Sequence, residues 1–137
     1  MQEKYLEFKL GAPDYVTVET EEERLVCQGG SSAVTAGSTT VEFEDAGEHE
    51  DIFVTSEDAV KCVKLRWNYK IPKSARFFGD AWERTYGDME WHGMSGNRYL
   101  PWYFLAKLSE KILCFGVKVR PSAMCYWQAD TKGITLF

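Results

Sequence analysis

Residues 79 to 93, GDAWERTYGDMEWHG, place two tryptophans, four carboxylates, an arginine and a histidine within fifteen positions. Carboxylates at that density could do glycosidase chemistry, in which one acts as the acid and a second as nucleophile or base across a sugar ring. On an extended backbone Asp80, Trp82 and Arg84 share one face, and Glu83 and Thr85 the other, so the segment itself presents no converging pair. Charged turn residues joined by local ion pairs are the simpler account of the carboxylates.

Sugar binding suits the same residues better. Tryptophan offers a flat apolar face to the C–H side of a sugar, while Asp, Glu, Arg and Asn hydrogen-bond its hydroxyls. Trp82, Trp91 and Trp102 stand beside such polar groups. The competing reading is that each ring fills space between two sheets. Trp67 and Trp127, each on an alternating strand pattern, are expected in the core.

Other chemistries find little support. His49 lies in an acidic stretch and His92 precedes a glycine, neither beside a Ser or Cys nucleophile, so both read as solvated or structural. The segment CQGGSS lacks the lysine of a phosphate-binding loop. Cys27, Cys62, Cys114 and Cys125 show no metal-ligand spacing, so neither a metal nor another cofactor is expected. Pairing residues 112–119 with 123–129 through a turn at Arg120-Pro121 sets Cys114 opposite Trp127, not Cys125. All four cysteines are therefore expected reduced and mostly buried.

The elements that must position these residues read as strands. β-Branched and aromatic residues recur in short runs between Gly, Pro, Ser and Asp, with almost no helical period. In VKLRWNYK, Val63, Leu65, Trp67 and Tyr69 alternate with polar residues, giving one core face and one wet face. Further strands are expected at 15–19, 24–28, 40–44, 51–55, 76–78, 81–86, 99–107, in the 112–119/123–129 hairpin and at GITLF. The stretches 28–38 and 44–52 read as connections. About ten short strands at this spacing fit an all-β antiparallel sandwich better than a closed barrel. With 137 residues and 45% apolar composition, one domain spanning 1–137 is expected.

A net charge of −5 with no long Lys/Arg run argues against nucleic acid. No apolar stretch is long enough for a membrane helix. The start shows no secretory signal, which favours the cytoplasm. The chain stops on an apolar residue without a turn signal, as a fragment would.

At GDAWERTYGDMEW, LPWYFLAK, FGVKVRPSAMCYWQAD and KGITLF, within residues 60–137, the sequence resembles the N-terminal β-domain of α-galactosidase-like enzymes, glycoside hydrolase family 36 and its raffinose-synthase relatives. The resemblance implies a supersandwich-like domain preceding a (β/α)₈ barrel that carries two catalytic aspartates, neither of them in this chain. It also implies that the domain borders the active site, in cis or from a neighbouring subunit of a homo-oligomer, and contacts the galactoside. The matching positions are Asp80, Trp82, Glu83 and Arg84, with Trp91 and Trp102 as further candidates. Cys114 and Phe115 depart from the family pattern, which bears on specificity. The expected function is thus a non-catalytic domain that supports a barrel and contacts a galactoside. An autonomous carbohydrate-binding module and a purely structural interaction domain are the alternatives.

Overall fold

The computed structural model describes residues 4–7, 9–79, 90–118 and 122–137. Every regular element among them is a β-strand, and all strand pairings with a described register are antiparallel. The fold is therefore all-β and antiparallel, of the sandwich class, as the alternating sequence pattern requires. Its contacts form two compact units, residues 9–67 and residues 1–8 with 68–137.

In the 9–67 unit, β1 (Tyr15–Thr20) lies between β2 (Arg24–Gln28) and β6 (Val60–Asn68). Val16 faces Cys27 and Leu65 across the two ladders, and Val18 faces Leu25 and Val63. A second sheet runs β3 (Ala33–Ala36), β4 (Thr39–Asp45) and β5 (Glu50–Ser56). Val16, Val18 and Leu65 from one sheet and Val34, Ala36, Val41 and Phe43 from the other are buried. Trp67 is buried as expected, and its indole donates to the carbonyl of Gly11 at 2.9 Å.

Both stretches read as connections contain strand. Residues 28–38 hold β3, because Val34 and Ala36 alternate inward and pair with Val41 and Thr39. Small residues hid a strand whose burial is supplied by its neighbour. Residues 44–52 hold the end of β4 and the start of β5. Only a tight turn joins them, closed by the Ala46 N–H to the His49 carbonyl at 2.9 Å, with Gly47 at φ +90°. Like charges then face each other at Glu44 and Asp51 and at Asp45 and Glu50, which opposes pairing. Lys9 offsets part of this through a 2.6 Å ion pair to Asp45.

The 68–137 unit contains β7 (Arg76–Gly79), β8 (Leu100–Pro101), β9 (Tyr103–Leu108), β10 (Lys111–Gly116), β11 (Tyr126–Asp130) and β12 (Gly133–Leu136). One sheet runs β10-β9-β7, and β11 pairs with both β12 and β8. An aromatic core joins these layers. Phe104 on β9 stacks on Phe115 at 5.2 Å and meets Trp127 of β11 edge-on at 5.6 Å. Trp127 is thus core, as its strand pattern predicts.

Two expectations need correction here. Residues 112–119 and 123–129 do not form a hairpin: β10 pairs with β9, whereas β11 pairs with β12 and β8. The core-facing sides of Phe115 and Trp127 lie in different layers and pack on each other, which a single hairpin could not provide. The strand expected at 99–107 is also broken, at Trp102. The strand expected at 81–86 lies outside the described residues.

Candidate functional site

The chemistry-bearing segment departs from β7 and returns beside it. Phe77 and His92 exchange both backbone hydrogen bonds at 2.8 Å, so the residues flanking 80–89 are clamped together at the sheet edge. Phe77 points into the core, where it tilts against Phe104 at 6.2 Å. Residues on either side of that pair therefore share the opposite, outer face. Trp91 lies against Phe78, ring centroids 5.6 Å apart, and remains 42% exposed.

On the other side of the pair, Gly93 lies beside Arg76. A Cβ on Gly93 would meet Nη1 of Arg76 at 2.8 Å, so the guanidinium lies against Gly93 and would have to swing aside for a larger residue. The face continues across the sheet, with Leu105 and Cys114 beyond Phe78 and with Lys107 and Ile112 beyond Arg76. Arg76 and Lys107 are exposed, and among the described residues neither joins an ion pair. The result is an aromatic and aliphatic row beside a row bearing two cations. Such a face can stack against apolar surface while donating charge-assisted hydrogen bonds to oxygens.

Of the residues singled out from sequence, Trp91 takes a place on this face. Asp80, Trp82, Glu83 and Arg84 lie outside the described residues. Trp102 sits elsewhere, half-buried at the junction of β8 and β9, with its backbone in the left-handed region at φ +66°. Its N–H donates to the Cys125 carbonyl at 3.2 Å, and its own carbonyl accepts from the Val117 N–H at 2.9 Å. That geometry makes Trp102 a fixed corner of the sandwich.

Among the remaining candidates, His49 accompanies Asp51 at 3.2 Å on the exposed hairpin between β4 and β5. All four cysteines are unpaired. Cys27, Cys62 and Cys125 are only half-buried and Cys114 is exposed, so the expectation of mostly buried thiols is corrected: β10 turns Cys114 outward, and Cys27, though on the inward side of β2, lies on the last strand of its sheet. Burial pushes the Cys62 and Cys125 thiols up, which lowers their thiolate content and nucleophilicity. Among the described residues no group of three His, Cys, Asp or Glu could hold a metal ion.

Sequence reasoning missed Arg76, because its neighbour Gly93 is seventeen positions away and meets it only through the Phe77–His92 pair. It also missed a second aromatic group. Tyr126 and Phe137 exchange both backbone hydrogen bonds and stack at 4.5 Å with 7° between ring planes, and Tyr99 meets Tyr126 at 5.1 Å and 70°. Tyr126 and Phe137 are half-buried against each other and Tyr99 is 57% exposed, whereas Trp91, at 42%, shares its face with the Arg76 cation. Compared with models of known protein families, with curated proteins and with solved structures, the chain matches none of them.

Proposed function

We propose that this chain is a non-catalytic β-domain that contacts carbohydrate, of the kind that accompanies the barrel of an α-galactosidase-like glycoside hydrolase. The observation that carries the sugar reading is Trp91, an exposed indole held on Phe78 with the Arg76 guanidinium on the same face. An indole face excludes water from the C–H side of a pyranose, and a guanidinium donates to its hydroxyls without competing as an acceptor. The galactoside and the parent enzyme come from the resemblance of residues 60–137. Trp82 and Arg84 are the neighbouring positions that this reading brings to the sugar.

Titration of the isolated chain with galactose, melibiose and raffinose, followed by tryptophan fluorescence and NMR, tests it. Saturable binding that is lost in Trp91→Ala and weakened in Arg76→Gln is the expected result. A flat response up to high millimolar sugar would remove the sugar reading and leave a structural interaction domain, and unchanged binding in Trp91→Ala would overturn Trp91 as the residue that carries it.

A further inference from the structure

The sheet β3-β4-β5 ends on β5, whose second edge pairs with no strand among the described residues. Open edges offer unpaired N–H and C=O groups to any extended chain, and natural edge strands are usually guarded by lysine, proline or a bulge. Residues 50–56, EDIFVTS, have none of these, and the ladder with β4 is regular throughout. Three consecutive apolar residues stand exposed there: Ile52 at 37%, Phe53 at 49% and Val54 at 47%.

The hydrogen-bond alternation shows which groups are open. The Phe43 N–H donates to the Ser32 carbonyl on the β3 side, so Glu42 and Glu44 turn their backbone groups toward β5. Opposite them are Phe53 and Asp51, whose groups return to β4. The N–H and C=O of Ile52 and Val54 therefore point to the open edge.

Charge selects the occupant. Between Arg24 and Lys61 the chain holds eight carboxylates and no Lys or Arg. Glu42, Glu44, Asp51 and Phe53 share the outer face of the sheet, and Ser32, Ala33, Glu42, Phe43, Glu44 and Phe53 line a shallow groove of about 490 Å³. Neither Glu42 nor Glu44 meets a cation among the described residues. A second copy of the chain paired through β5 would set these acidic faces side by side, which repulsion opposes.

We propose that the β5 edge binds a partner segment by strand addition, and that the segment alternates Lys or Arg with apolar residues. Its backbone pairs with Ile52 and Val54. Its basic side chains cross the acidic face, with their methylenes on Phe53 and their charged ends at Glu42 and Glu44. Its apolar side chains lie on the opposite face beside Ile52 and Val54. The surface belongs to the 9–67 unit and is independent of the sugar reading, whose site lies in the other unit.

The test is an NMR titration of the full chain with a capped peptide Lys-Val-Lys-Val-Lys-Val and with its Glu-for-Lys counterpart. The expected result is saturable shifts at the Ile52 and Val54 amides with the lysine peptide, at least about ten-fold weaker binding of the glutamate peptide, and loss of binding in Val54→Pro. Proline at 54 removes a donor from the open edge and none from the β4 ladder. The double variant Glu42→Gln/Glu44→Gln keeps every backbone bond and is expected to weaken the lysine peptide about ten-fold, the worth of two exposed ion pairs. Equal affinity for both peptides, full binding by a folded Val54→Pro chain, or no effect of the double glutamine variant would overturn the proposal. So would β5 amide shifts that follow protein concentration without peptide, which would make a second copy the occupant.

Discussion

The Trp127 indole N–H donates to the Trp102 carbonyl at 3.2 Å, and the same oxygen accepts the Val117 N–H at 2.9 Å. Trp102 pays for its φ of +66° with these fixed bonds, since a bulky side chain in the left-handed region is strained by about 1 kcal/mol or more. Trp127→Phe keeps an aromatic ring against Phe104 and Phe115 but removes one donor. We expect a loss of about 1–2 kcal/mol by urea unfolding, with part of the loss from the smaller ring. An unchanged midpoint would show that the indole bond does not hold the corner.

Two adjacent glycines should respond very differently to alanine. At Gly29 a Cβ would lie 2.0 Å from the Pro13 carbonyl oxygen, a backbone atom that cannot swing aside. At Gly30 the space is open and only its φ of +91° resists a side chain. Gly29→Ala is expected to cost about 3 kcal/mol or more, and Gly30→Ala about 1 kcal/mol. Thermal unfolding of the two variants checks the order, and equal effects would contradict the close approach of residues 13 and 29.

Acidification should act on the β4–β5 hairpin in two opposite steps. Glu50 is raised above its ordinary 4.5, first by burial and then by the Asp45 charge, so its ionised form disfavours folding and protonation on acidification relieves that strain. Asp45 is lowered below its ordinary 3.8 by the Lys9 hydrogen bond, the Gly47 N–H and the Lys9 charge. Its contribution is present above the unfolded value and is lost as pH falls through the folded one. Hairpin amide protection is expected to rise slightly as pH drops toward 4.5 and to fall below about 3.8. Glu50→Gln should abolish the first change and Asp45→Asn the second. If each variant retains the full profile, other groups govern it.

Thiol labelling should separate the cysteines. Cys114 is exposed, whereas burial raises the Cys62 and Cys125 thiols. Maleimide at mildly alkaline pH followed by peptide mass spectrometry should find Cys114 modified first and Cys62 and Cys125 last. Faster reaction at Cys62 would mean that β6 is more open than the fold shows.

Strand content was legible wherever one chain segment carried its own reason to pair. Val16 and Val18, Leu65 and Trp67, and Trp127 and Ala129 alternate apolar with polar neighbours, and all six are buried. β3 was illegible because Val34 and Ala36 gain their burial from the sheet neighbour, whereas β5 was legible as the strand at 51–55, and only the stretch 44–52 around its start was read as a connection. Of the candidate site, Trp91 was visible as an aromatic among polar residues. Arg76, Lys107 and the open β5 edge were not.

The sequence by itself determined an all-β antiparallel chain, since side-chain alternation is a local property that fixes which face of each strand turns inward. Only the tertiary structure decided that β10 joins β9 and not β11, that Gly93 meets Arg76, and that Ile52 and Val54 turn their backbone groups outward. Strand partners and edges depend on which distant segments fill each other's ladders and core. That competition is settled by burial across the whole unit, and no local pattern records its outcome.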